Sequence, residues 1–148
     1  MTGLNHAATG ALVAVVIKQP ELALPLALLA HFAIDAIPHW DYGLTGLARK
    51  IAMGSDLSLS IILLIILAIV LVIPGWLVIT CGLLCMAPDV MWLPEILQGK
   101  PPKIYQSGLL GQLRRYHKTI QRVELPRGLY VEMVWFAIAL AFILVIGR

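Results

Sequence analysis

The sequence predicts an all-α integral membrane bundle of about five helices, with one further amphipathic helix at the interface. Three observations carry this. The 148 residues are 60% hydrophobic and only 13% charged, whereas soluble domains sit nearer half apolar and a quarter charged. The apolar residues fall in runs comparable to the ~20 residues a helix needs to cross the ~30 Å hydrocarbon core. The positive charges gather in the segments between those runs, as they do beside cytoplasmic ends of spans.

The elements follow in order. "HAATGALVAVVI" predicts a first span at about 6–18. It is short for a crossing, so it is thin, tilted or buried among neighbours. Gly10 and Ala14, four apart, let another helix approach closely. The opening "MTGLNHAATG" lacks the basic start of a signal peptide, so this segment is expected to be retained. "LALPLALLAHFAIDAIPHW" predicts a second span at 22–40, interrupted by polar residues. The run 57–87 is too long for one crossing. Pro74-Gly75 breaks it and Trp76 is an interfacial anchor, which predicts a hairpin of spans at 56–73 and 76–93. "GLYVEMVWFAIALAFILVIG" gives the last span, 128–147, and the chain reads as a single transmembrane domain.

The segment 94–127 carries Lys100, Lys103, Arg114, Arg115, Lys118, Arg122 and Arg127 against Glu95 and Glu124. Arg49 and Lys50 lie between spans two and three, and the hairpin turn has no charge. Both basic segments are expected on the cytoplasmic side of an inner membrane, with the N-terminus inside. Within 107–128, Leu110, Leu113, His117 and Ile120 recur at three and four residues, with Arg114, Arg115, Lys118 and Arg122 mostly on the other side. This predicts a basic amphipathic helix drawn to anionic lipid, with His117 turned toward the bundle. Membrane lipid is the expected partner; the basic residues are too few, and too tied to spans, to favour nucleic acid.

Ionisable residues interrupt this apolar pattern at similar depth. His31, Asp35 and His39 are spaced by four and four, which places them on one helix face, although Pro38 qualifies the last step. His6 starts the first span, Asp56 opens the third, Asp89 lies near the end of the fourth, and His117 is in the basic loop. A lone charge within the bilayer is costly and persists against a partner, a water-filled cavity or a metal. Imidazole nitrogen and carboxylate oxygen suit zinc and similar cations. The candidate metal ligands are therefore His6, His31, Asp35, His39, Asp89 and His117, with Asp56 also in range. They are too many for one tetrahedral zinc with an open position, so one or two divalent ions are expected, zinc foremost and Asp35 bridging. A proton or cation relay, in a small transporter or channel, and purely structural pairing, in a non-catalytic adaptor, are the competing readings. Cys81 and Cys85, one turn apart, read as small packing residues rather than a disulfide or thiolate ligands. Glu132 is a further candidate for the cluster, and Asn5 reads first as a helix cap.

"AHFAIDAIPHW" resembles the His-x-x-x-Asp helix of the zinc-dependent phospholipase C and single-strand nuclease group. The chain as a whole resembles the small bacterial inner-membrane proteins described as membrane-bound metal-dependent hydrolases, through "NHAATG", "AHFAID", "APDVMW" and "YHKTIQ". It departs from them in carrying its His-x-x-x-Asp early and in having Met91 where a second acid would follow Pro-Asp. The resemblance implies a metal-dependent hydrolase or phosphoesterase at the cytoplasmic leaflet, acting on a phosphate-containing lipid or other amphiphile. On that expectation Asp41 or Asp56 is the general base, and Arg114, Arg115 and Lys118 hold the substrate phosphate.

Overall fold

The computed structural model describes residues 1–40, 44–98, 107–121, 123 and 127–148. Its regular elements are helical: α1 (Gly3–Ile17), α2 (Pro20–Asp35), α3 (Gly46–Val70), α4 (Gly75–Met86), a 3₁₀ segment (Ala87–Trp92), α5 (Leu93–Gln98), α6 (Gly108–Ile120) and α7 (Arg127–Ile146). The all-α bundle is as the sequence predicts. Three stretches are long and apolar enough to cross a membrane: Gly46–Val70, the near-continuous Gly75–Gln98, and Arg127–Ile146. The side chains Ile62, Ile66, Ile69, Phe142 and Val145 lie exposed on α3 and α7, a surface suited to lipid rather than water.

The short first helix is the centre of the bundle. At 15 residues it rises only about 22 Å, and it packs against α2, α3, α4 and α7. Of the three readings of its shortness, burial among neighbours is the one observed: Ala7, Ala8, Ala11, Ala14 and Val15 are all fully buried. Small side chains let four helices close around one. At Gly10 the contact is backbone to backbone, since a Cβ there would run into the Cys81 carbonyl and Gly82 of α4. The core beyond is apolar, built from Ala11, Val15, Leu64, Leu67, Leu71, Val78 and Ile143.

Two element boundaries and one helix face differ from the sequence reading. Helix α2 stops at Asp35, not at 40, because the residue before Pro38 is pushed out of the helical region and Pro38 has no N–H to donate. His39 therefore leaves the helix and the face that carries His31 and Asp35. Helix α3 begins at Gly46, three turns before Asp56. "GLARKIAMGS" is less apolar than residues 57–70 but rich in good helix formers, so the helix starts ahead of the hydrophobic run. In α6 the buried residues are Gly111, Arg114 and His117, whereas Leu110 and Leu113 are 40% and 47% exposed. Periodicity locates an apolar face, but beside a membrane that face can look toward lipid instead of protein.

The close α1–α4 contact makes a testable statement. Gly10→Val is expected to destabilise the purified protein by about 1–3 kcal/mol through overpacking. Gly54→Ala, at a helical glycine with open space around it, should be neutral or stabilising by up to about 1 kcal/mol. Thermal unfolding in detergent reads both, and an unchanged midpoint for Gly10→Val would contradict the packing.

Candidate metal centre

The helix directions bring the polar residues to one end of the bundle. Gly3, at the start of α1, lies against Asp56 and Ser60 of α3 and Met86 at the end of α4. At the opposite end Gly147 lies against Leu71 and Val15. Two carboxylates fasten the start of α1. Asp56 accepts from the backbone N–H groups of Gly3 (2.6 Å) and Leu4 (3.0 Å). Glu132 of α7 accepts from the backbone N–H of Thr2 (3.1 Å), from its hydroxyl (2.7 Å) and from the Asn5 side-chain amide. A helix start leaves N–H groups without intrahelical partners and carries partial positive charge, so anionic acceptors are favoured there. This arrangement sets the position of His6, on the first turn of α1.

Four residues form the centre proper. One ligand atom from each of His31, Asp35, Asp89 and His117 lies within 4.8 Å of the other three, and this group can hold a metal ion. The edges are informative. His31 Nε2 and His117 Nε2 are 2.9 Å apart. His117 Nε2 is 3.1 Å from Asp35 Oδ2 and 3.4 Å from Asp89 Oδ1. His31 Nε2 is 3.5 Å from Asp35 Oδ2 and 3.9 Å from Asp89 Oδ1. Donors held 2.0–2.1 Å from a tetrahedral ion are roughly 3.3 Å from each other, and the five edges scatter around that value.

The chain also aims the donors. Pro88 leads the shift from α4 into the 3₁₀ segment, which carries Asp89. With i→i+3 pairing the Cys85 carbonyl would look to residue 88, which as proline has no N–H. That carbonyl instead accepts from His31 Nδ1 at 2.8 Å. An imidazole that donates through Nδ1 presents the lone pair of Nε2 to the cluster, the usual arrangement for a metal-binding histidine. His117 is placed from α6, whose Arg114 is paired with Glu95 at 2.7 and 2.9 Å, contacts the Met91 carbonyl and stacks over Trp92. His31, Asp35 and His117 are buried, while the Asp89 side chain is 40% exposed, so the centre opens there.

His6 stands at the edge of this group. Its ring stacks on that of His31 with centroids 4.2 Å apart. Its Nε2 is 3.3 Å from Asp35 Oδ1 and 3.6 Å from Asp89 Oδ2. The Met1 amine also contacts Asp35 Oδ1. His6 Nε2 and Asp35 Oδ2 are buried without a hydrogen-bond partner. Imidazole nitrogens and carboxylate oxygens left in this state fit a divalent cation.

The remaining sequence candidates sit elsewhere. His39 is buried, with its Nδ1 donating to the Ile37 carbonyl at 2.8 Å; it lies beyond the end of α2 and is not in the four-residue group. Asp56 is corrected from general base to helix cap, since both its oxygens are engaged by α1. Arg114 is corrected from phosphate holder to buried ion-pair partner, and Glu95, read from sequence only as a loop charge, is what holds it. Arg115 and Lys118 are exposed on α6. Asp41, with Lys100, Lys103 and Arg122, lies outside the described residues. Cys81 and Cys85 are buried free thiols, and Cys85 acts through its carbonyl. The Glu95 role had one sequence signal, an acid among basic residues beside a tryptophan, and spacing alone gives it no partner.

No family model, curated protein or solved structure matches the chain.

The geometry separates two kinds of carboxylate. Asp35→Ala is expected to abolish binding of a divalent cation, read by elemental analysis of the detergent-purified chain. Asp56→Ala should keep the ion and lower stability by ~0.5–2 kcal/mol, the usual cost of a lost helix cap. Removing one member of the buried Arg114–Glu95 pair, as in Arg114→Met, should cost about 3–5 kcal/mol, with Lys118→Ala nearly neutral by the same unfolding measurement.

Proposed function

We infer that this protein is a membrane-embedded metal-dependent hydrolase whose centre faces the headgroup region, on the cytoplasmic side of a cell membrane. The observation that carries the reading is the set of two carboxylates and two imidazoles at tetrahedral edge distances, buried except at Asp89. A bound dication, with zinc the best match to these donors, would supply Lewis acidity, lowering the pKa of a coordinated water toward 7 and drawing charge from the scissile group. The chain's own part is to fix the donors. Cys85 orients His31, the Arg114–Glu95 pair docks the helix bearing His117, and the carboxylates that tie down α1 hold His6 beside them.

The substrate proposed is an amphiphile with a phosphate ester or anhydride. Its chain would lie among the exposed apolar side chains, Leu109, Leu110 and Leu113 of α6 included, with its head at Asp89. Arg115 and Lys118, exposed on the same helix, would favour an anionic head. With Asp56 engaged as a cap, Asp41 is the general-base candidate that remains from the sequence. A relay across the membrane is the weaker reading, because the cluster ends where the apolar core of Ala11, Val15, Leu67 and Ile143 begins.

The test is hydrolysis of phosphate-containing lipids and lipid diphosphates by the full chain in mixed micelles with Zn2+. Activity should depend on the ion, disappear on chelation and fall at least ~100-fold in His31→Ala and His117→Ala. Folded protein that binds no divalent ion would sink the proposal.

A further inference from the structure

The four-residue group uses one oxygen of each carboxylate. Asp35 turns Oδ2 to His31 and His117, and Asp89 turns Oδ1 to the same pair. The other two oxygens, Asp35 Oδ1 and Asp89 Oδ2, both face His6 Nε2, at 3.3 and 3.6 Å. These are again the roughly 3.3 Å edges of a site with donors 2.0–2.1 Å from an ion. His6 Nε2 is fully buried and has no hydrogen-bond partner. The Met1 nitrogen also lies against Asp35 Oδ1, at the place the second ion would take.

We propose that His6, Asp35 Oδ1 and Asp89 Oδ2 form a second divalent-cation position, so that the centre holds two ions bridged by both Asp35 and Asp89. This rests on the metal-centre reading above and deepens it. His31 and His117 are terminal ligands of one ion and His6 of the other. Each carboxylate spans the pair, which accounts for two buried acids at one place: each oxygen has its own cation. Ions sharing carboxylates in this way stand about 3.5–4 Å apart and suit an in-line displacement at phosphorus, with one position for the attacking and one for the leaving oxygen. The inference is therefore in keeping with the phosphoryl substrate proposed above. It also assigns a function to the central position of α1, whose first turn is the sole source of the second ion's nitrogen among the described residues.

Two measurements on the full chain in detergent test it. Zn2+ is counted by elemental analysis after equilibrium dialysis, and Mn2+ loading is followed by electron paramagnetic resonance. The wild type is expected to hold two Zn2+ per chain, and its Mn2+ form to show the spectrum of an exchange-coupled pair. His6→Gln, checked for retained helicity and elution volume, should hold one Zn2+ and give an isolated-ion Mn2+ spectrum. One Zn2+ per wild-type chain, or two Mn2+ without coupling, overturns the second position and leaves the single-ion centre standing. No bound ion overturns both. The wild-type count and spectrum decide the matter even where His6→Gln fails to fold.

Discussion

Two carboxylates held side by side, one of them fully buried, are the constraint on which the rest of this structure turns. At ~4 Å, with an effective dielectric constant of about 20, two like charges repel by about 4 kcal/mol, and burial adds a desolvation cost of several kcal/mol for each buried ion. Asp35 is fully inside and Asp89 partly so. The fold answers with nitrogen donors: three imidazoles lie 3.1–3.9 Å from the oxygens of the two acids, and the Met1 nitrogen contacts Asp35. Neutral imidazoles alone cannot cancel two negative charges. Protons or metal ions must, and the lone pairs converge in the manner of metal ligands.

Holding that set together requires helices that approach closely. Helix α1 is built from alanine, glycine and threonine over most of its buried length, so the backbones of its neighbours reach it directly. Its start would otherwise leave bare N–H groups in an apolar setting. Asp56 and Glu132 occupy those groups and in doing so tie α3 and α7 to α1. The same end of the bundle therefore contains two kinds of acid with different work. One pair satisfies the backbone, and the other pair faces the imidazoles.

Helix α6 joins the centre by a different logic. It presents Gly111, Arg114 and His117 inward and leaves Leu109, Leu110 and Leu113 outside. A buried arginine stacked on Trp92 and paired with Glu95 is a geometric lock more than a source of stability. Its effect is to fix His117, whose Nε2 makes the shortest edge to His31.

The sequence alone determined the helical class, the apolar stretches, the Pro74 hairpin and the one-turn pairing of His31 with Asp35, because hydrophobic runs and i, i+4 spacing are local properties of the chain. It also placed His6, Asp89 and His117 near that pair, through topology and charge asymmetry. Tertiary structure decided the rest. Helix α2 ends four residues before His39, since Pro38 stops a helix that the hydrophobic pattern continues. Asp56 became a cap and not a base because α1 happens to start beside it. Arg114 turned inward because Glu95 and Trp92, about twenty residues away in the chain, meet it there. Ionisable side chains of one type look alike in a sequence; which of them satisfies a backbone, which pairs with a charge and which faces an open site depends on neighbours that only the packed helices supply.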